Sequence, residues 1–291
     1  MDRLFPTLSS PAVLDRRFGD FGYLSDEGLS IAMFLSLQLG KPLLLEGAPG
    51  VGKTEAAKTL AKILGRELIR LQCYEGIDAA HALYEWNYPR QLLALREAGE
   101  HKLDLYSETF LIERPLLKAL REPQKYVLLI DEIDRSDHEF EAFLLEFLSD
   151  FQISIPEVGT IAAKEKPPVI LTSNRTRNLH EALRRRCMYH WIPYPTPERE
   201  TAIIQARASD VTEAVAKAVA RAVMALRQRS LSKPPGIAEA VEWASAATLL
   251  EAGSGQWPLA FRQAIGAAIK DEDDLVELRD ELNGLLEQAC A

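Results

Sequence analysis

Gly47-Ala48-Pro49-Gly50-Val51-Gly52-Lys53-Thr54 fits the pattern G-x-x-x-x-G-K-[ST]. Each residue type at that spacing has a task around a chain of phosphates. The glycines let backbone N–H groups turn inward on anionic oxygens with no Cβ in the way. Lys53 supplies a point charge for the outer phosphates, and the Thr54 hydroxyl is suited to ligate Mg2+. A helix that starts here turns the positive end of its dipole toward the anion. The candidate nucleotide-binding stretch is therefore Gly47, Ala48, Pro49, Gly50, Val51, Gly52, Lys53, Thr54 and Glu55.

A second constellation follows about eighty residues on. Tyr126-Val127-Leu128-Leu129-Ile130 runs into Asp131-Glu132. Acids at the C-terminal end of a buried strand emerge in the crevice where such sheets bind ligands. Asp131 is the candidate Mg2+ ligand, acting through water, and Glu132 the candidate general base for an attacking water. Two acids after a strand also make a helix cap, and the phosphate motif decides between the readings. Asn174, after Val169-Ile170-Leu171-Thr172-Ser173, is either a turn asparagine or a third contact, to the γ-phosphate or to the water. Arg184-Arg185-Arg186 is either a solvated basic helix end or a source of a guanidinium that stabilises a phosphoryl transition state from a neighbouring subunit. Tyr23 is either a packed tyrosine or a stacking partner for a base.

These residues need elements to carry them. Leu43-Leu44-Leu45, Glu67–Gln72, Tyr126–Ile130, Val169–Thr172 and Met188–Ile192 read as five strands, several of them buried on both faces as in a parallel sheet. Ser25–Leu39, with Leu29, Ala32, Met33 and Leu37 on one stripe, reads as a helix. So do Lys53–Leu64 and His138–Ser149, the latter with Phe140, Phe143, Leu144 and Phe147 on one face. Phe151–Ile155 alternates like the first arm of a hairpin. Residues 74–115 form an aromatic-rich insert of short helices and a loop or hairpin, in which Tyr74, Trp86 and Tyr106 are candidates either for packing or for contact with a client.

Pro193, Pro195 and Pro197 at alternate positions end the sheet region and read as a linker and hinge. Helices follow almost to the end. Asp210 with Glu213 three residues later suggests a capping box, and Val211, Val215, Val219 and Val223 recur at every fourth residue. The acids Asp271–Asp274 read as a solvated helix N-terminus. Strands alternating with helices, then helices alone, predict an α/β core over 1–195, a parallel sheet between helices, and an all-helical lid over 196–291.

Composition narrows the function. A net charge of −9 argues against a general nucleic-acid binder. Cys73, Cys187 and Cys290 are odd in number and widely spaced, with no CxxC pair among them, so they read as free thiols in a reducing compartment. Neither a membrane span nor a secretory leader is legible, and a cytoplasmic location is expected.

The order GAPGVGKT, LLIDEID, TSN and RRRC, followed by a helical region, resembles an AAA+ ATPase, and more narrowly the MoxR family. Leu71–Gly76, Tyr84–Tyr88, Thr172–Arg177, Arg185–Trp191 and Lys233–Gly236 are similar to the CoxD-type branch, associated with carbon monoxide dehydrogenase and related molybdenum hydroxylases. The resemblance implies that Lys53 and Thr54 are the Walker A pair and Asp131 and Glu132 the Walker B pair. It makes Asn174 sensor 1 and gives Arg186, with Arg185 as rival, the arginine-finger position. The sensor 2 arginine of the family has no counterpart in Lys233-Pro234-Pro235-Gly236, leaving Lys233 or Arg262 as substitutes. ATP and Mg2+ are the implied cofactors. The implied partners are further copies in a hexameric ring, a von Willebrand A domain protein, and a client metalloenzyme. The rival class is a nucleic-acid motor of clamp-loader type.

Overall fold

The computed structural model describes residues 4–98, 103–156, 158–251, 257–278 and 284. In chain order the elements are α1 (Pro11–Asp20), α2 (Glu27–Leu39), β1 (Leu43–Gly47), α3 (Lys53–Leu64), β2 (Glu67–Gln72), α4 (Ala79–Leu83), β3 (Tyr84–Trp86), α5 (Tyr88–Ala98), β4 (Leu111–Glu113), α6 (Pro115–Arg121), β5 (Tyr126–Asp131), α7 (His138–Asp150), β6 (Gln152–Ile155), β7 (Gly159–Ala162), β8 (Val169–Ser173), α8 (Glu181–Arg186) and β9 (Met188–Ile192). Helices α9 (Pro197–Arg207), α10 (Glu213–Arg227), α11 (Ile237–Glu251), α12 (Trp257–Gln263) and α13 (Glu272–Leu278) follow.

Five strands form one sheet in the order β2-β5-β8-β1-β9. β5 pairs in parallel with both β2 and β8, and β8 pairs in parallel with β1. Strands β1, β5 and β8 are buried along their whole length; with both faces covered, each carries an apolar run and keeps its buried polar residues, Glu46, Asp131, Thr172 and Ser173, to its C-terminal end. The edge strand β2 is more open: Glu67 and Arg70 are exposed, and Leu71 is its one buried residue.

The chain divides into two compact units, the first made of Met1–Phe21, Ser25–Glu46 and Lys53–Trp191, the second of Gly22–Leu24, Gly47–Gly52 and Ile192–Ala291. In the first unit Leu44, Leu71, Leu128, Ile130, Leu144, Phe147 and Leu171 belong to one apolar core. Phe140, Leu144 and Phe147 of α7 are buried, while Phe143 is only partly so. The insert contains a two-stranded antiparallel ladder, β3 with β4, and β6 pairs with β7 as the expected hairpin. In the second unit Trp243 and Phe261 meet edge to face at 5.8 Å inside a core that takes Val215, Val219 and Val223 from α10. Among the described residues no helix is long and apolar enough to cross a membrane.

Two local expectations fail. The N-cap of α10 is Thr212, whose hydroxyl accepts from Val215 N–H at 3.4 Å, and not Asp210. A turn closed by Val211 N–H to Ala208 C=O, 3.2 Å, holds Asp210 outside the helix. Nor is the acidic run solvated throughout. Asp274 is 2 % exposed and accepts from the backbone N–H groups of Ser232 and Lys233 at 2.9 and 3.1 Å. Three acids do open the short helix α13, but one of them is spent on holding a loop.

Candidate functional site

In the first unit Lys53 opens α3 directly after the phosphate motif and is buried to 6 % exposure. Burial lowers its pKa from 10.5 to about 8, and the neighbouring carboxylates Asp134, Asp131, Glu132 and Glu46 offset part of that effect. An ammonium held out of water among acids is one that a phosphate can recruit.

Thr54 Oγ1 donates toward both oxygens of Asp131, at 3.1 and 3.3 Å. Asp131 ends β5, is 2 % exposed, and also accepts from Thr172 Oγ1 on the next strand. A hydroxyl and a buried carboxylate converging on one point form a hard-oxygen pair that fits Mg2+. Among the described residues no group of three or more His, Cys, Asp or Glu is arranged to hold a metal ion. A metal that keeps waters and substrate oxygens as its remaining ligands needs no such cage.

Glu132 follows with φ +55°, in the left-handed region that a non-glycine residue adopts only when neighbours enforce it. Its backbone N–H donates to Thr172 Oγ1 at 2.9 Å, which fixes that turn. The side chain is contacted by Gln72 Nε2 at 3.1 Å and by Arg135 Nε at 3.2 Å. Asp134, 2 % exposed, accepts from the N–H of Asn174 at 3.2 Å to each oxygen, from Thr176 N–H at 2.9 Å and from Thr176 Oγ1 at 2.7 Å. Asn174 therefore sits at the end of β8 on a loop tied to the acidic segment.

Helix α8 carries the three arginines, each with a different partner. Arg184 faces the buried carboxylate of Glu46 at 3.5 Å and lies over the Tyr189 ring at 5.3 Å. Arg185 pairs with Glu181 one turn back and is 76 % exposed. Arg186 donates to Ser149 Oγ on α7 and to the Ala182 carbonyl at 3.3 Å.

Within the second unit, Gly50 has φ +75°, and a methyl built on it would meet Gly236 Cα at 2.8 Å. Ile237 N–H donates to the Gly50 carbonyl at 3.0 Å. Tyr23 is 8 % exposed, with its ring 3.7 Å from where a Cβ on Gly52 would lie, so it is a packed residue. Val51 and Gly47 are buried, Ala48 is half-buried and Pro49 is exposed, while Glu55 on the first turn of α3 pairs with Lys58 at 3.6 Å. Lys233 Nζ bonds Asp271 at 2.9 Å, and Arg262 is exposed.

Trp86 is buried and meets Tyr84 and Tyr106 edge to face at 6.0 and 5.4 Å. It packs the insert, whereas Tyr74 and Tyr106 are half-exposed. Cys73 and Cys187 are free thiols whose pKa values burial pushes up to about 12. Cys290 lies outside the described residues.

Asp134, Arg70, Gln72, Thr172 and Glu46 were not legible as site residues. The repeated acid in Asp131-Glu132-Ile133-Asp134 was the one available signal. The others gain meaning only from strand register, which sets Gln72 beside Asp131.

A phosphate motif between β1 and α3, with paired acids at the end of β5, the parallel strand on the far side of β8, defines a P-loop nucleotide-binding domain. A model of the AAA domain, dynein-related subfamily, matches residues 42–187, half of the chain, and the chain belongs to that family of ATPase domains. The chaperone protein ClpB of Bacillus cereus is 29% identical over 171 residues, 58% of this chain and 16% of that protein. The uncharacterised protein YojN of Bacillus subtilis is 29% identical over 184 residues, 60% of this chain and 56% of that one. The chain thus spans between 16% and 56% of the length of these relatives. The Thermotoga maritima RuvB Holliday junction branch migration motor overlays with a TM-score of 0.47 at 17% identity, covering 88% of this chain and 66% of that one.

Proposed function

We propose that the chain is a Mg2+-dependent ATPase that acts as a MoxR-type chaperone and remodels or activates a metalloenzyme in the cytoplasm. The observation that carries the catalytic half of this reading is the meeting of Thr54, Asp131 and Thr172, with Glu132 turned out beside them in a left-handed conformation.

Lys53 draws the outer phosphates of ATP by charge. Thr54 and Asp131 would hold Mg2+, which spreads positive charge over the β- and γ-phosphate oxygens when bound. Glu132 takes the proton of a water as that water's oxygen bonds to the γ-phosphorus. The bond to the bridging oxygen breaks, and ADP and phosphate leave. Asn174 orients the water or the γ-phosphate. Arg186, with Arg185 as rival, acts on the site of a neighbouring copy in a hexameric ring, which makes hydrolysis depend on assembly.

The chaperone half rests on sequence likeness. A relative carries the name of a chaperone, and Leu71–Gly76, Tyr84–Tyr88, Thr172–Arg177, Arg185–Trp191 and Lys233–Gly236 resemble the CoxD-type branch. The client class is then a molybdenum hydroxylase related to carbon monoxide dehydrogenase, reached with a von Willebrand A domain partner. The test is a Glu132→Gln chain, which should bind ATP without turning it over, used as bait in native cells. Recovery of a metalloenzyme and a von Willebrand A protein is expected. A parent chain that binds no nucleotide and releases no phosphate overturns the catalytic half; a trap that recovers neither protein overturns the client half.

A further inference from the structure

Asp131 is a carboxylate with every direction taken. Its Oδ1 receives the hydroxyls of Thr54 and Thr172. Its Oδ2 receives two N–H groups of one guanidinium: Arg70 Nε at 2.8 Å and Arg70 Nη2 at 2.6 Å. Arg70 and Gln72 are two apart on the edge strand β2, so they share a face and both lean toward the acids at the end of β5. Arg70 Nη2 also donates to Gln72 Oε1. Because that oxygen faces the guanidinium, the amide must turn its N–H2 the other way, and Gln72 Nε2 donates to Glu132 Oε2 at 3.1 Å.

Of the three donors on Asp131, two are neutral hydroxyls on buried or half-buried residues. Arg70 alone is charged, and its side chain is 50 % exposed, so it has a path to water. A divalent cation or one of its waters needs a lone pair of Asp131, and the guanidinium is the donor it repels most strongly. We propose that Arg70 is a resident counter-cation for Asp131 that competes with Mg2+ for Oδ2. Metal entry sends Arg70 out toward solvent. The Gln72 oxygen then loses its guanidinium donor, while Glu132 keeps Arg135 Nε beside it. Arg70 is in this sense a positioning residue, acting through Asp131. The inference rests on the nucleotide-site reading above.

The experiment titrates Mg2+ into the chain holding a fluorescent ADP, for the parent, Arg70→Met and Arg70→Lys. Arg70→Met keeps most of the apolar stem and removes the charge. It should raise the apparent Mg2+ affinity of the ADP complex about tenfold, the equilibrium shift expected when a charge-assisted contact of ordinary strength is removed. Arg70→Lys keeps the charge and should stay near the parent. Thermal melting with and without Mg2+ gives a second readout, in which Arg70→Met gains more from Mg2+ than the parent does. Equal Mg2+ affinity in all three chains, or a weaker affinity in Arg70→Met, overturns the inference while leaving the nucleotide site intact. Absence of ADP binding in the parent removes both. If Arg70→Met fails to melt cooperatively, Arg70→Gln is titrated in its place against the same criterion.

Discussion

Asp134 holds Thr176 twice, accepting its backbone N–H at 2.9 Å and its hydroxyl at 2.7 Å, across the step from the acidic segment to the loop after β8. The same carboxylate takes the N–H of Asn174. A buried acceptor with three donors is expensive to remove, because all three are left without partners. Asp134→Ala should lower stability by about 2–4 kcal/mol. Asp134→Asn keeps one oxygen and should lose less. Thermal or urea unfolding reads the first effect. Hydrolysis by the folded Asp134→Asn chain should also fall, since the Asn174 loop loses an anchor; unchanged turnover would separate that loop from the chemistry.

Lys53 gives a pH dependence with a definite sign. Its folded pKa, about 8, lies below the ordinary 10.5. Below pH 8 the lysine is charged in both states, and folding carries the whole cost of burying it. Between about 8 and 10.5 the unfolded chain holds the proton that the folded chain has lost, so this site's contribution to stability rises with pH across that window. Nucleotide binding runs the other way, because phosphate needs the ammonium. ADP affinity should weaken above pH 8, by at most about tenfold per pH unit, and Lys53→Met should bind weakly with a flat profile. A parent profile as flat as the variant's would remove Lys53 as the phosphate's charge partner.

Much of the fold was legible because burial on both faces leaves an unmistakable record. Leu43-Leu44-Leu45, Val127–Ile130 and Val169–Leu171 have no polar side chain to hide, and each lies in a central strand. The phosphate motif and Asp131-Glu132 were legible for a different reason: local spacing alone encodes what they do. The three-residue strands β3 and β4 were not individually legible, since three residues carry no period. Arg70 and Gln72 were invisible as site residues because nothing in Glu67–Gln72 announces which residue of β5 it will pair with. The cap at Thr212 was missed because two polar residues stood within reach of one helix start, and the turn at Ala208–Val211 chose between them.

The second unit contains a buried ion pair of its own. Arg227 meets Glu200 through two N–H groups at 2.7 and 2.8 Å, donates to the Pro235 carbonyl at 2.8 Å and lies over the Tyr194 ring at 4.1 Å. Glu200 is 1 % exposed and Arg227 8 %. Removing one partner strands the other charge out of water. Glu200→Ala should therefore destabilise by about 3–5 kcal/mol, and Glu200→Gln by less, since an acceptor oxygen remains. A shift of the unfolding midpoint no larger than that of an exposed control such as Glu213→Ala would contradict the pairing.

The thiols should be inert at neutral pH. With pKa values pushed up to about 12 by burial, Cys73 and Cys187 hold a negligible thiolate fraction. In a Cys290→Ser background the folded chain should take up iodoacetamide far more slowly at pH 7.5 than the unfolded chain does. Rapid labelling of Cys73 in the folded state would mean that the strand end carrying Gln72 opens readily.

Arg185 and Arg186 differ in how they are held. Arg185 is solvent-facing and pairs along its own helix with Glu181. Arg186 is braced by Ser149 of α7 and by the Ala182 carbonyl. A guanidinium fixed in advance loses less freedom when it meets a transition state than one that must first be ordered. Arg186→Ala should therefore reduce hydrolysis by about a hundredfold or more, with nucleotide binding retained, and Arg185→Ala should have the smaller effect. Because the group would act on a neighbouring copy, mixing Arg186→Ala chains with Lys53→Ala chains should restore turnover: intact arginines from one then face intact phosphate sites of the other. Mixed assemblies that stay inactive while each variant still binds its expected partners would place the arginine's action within its own subunit, and a larger loss in Arg185→Ala would reverse the order argued from their contacts.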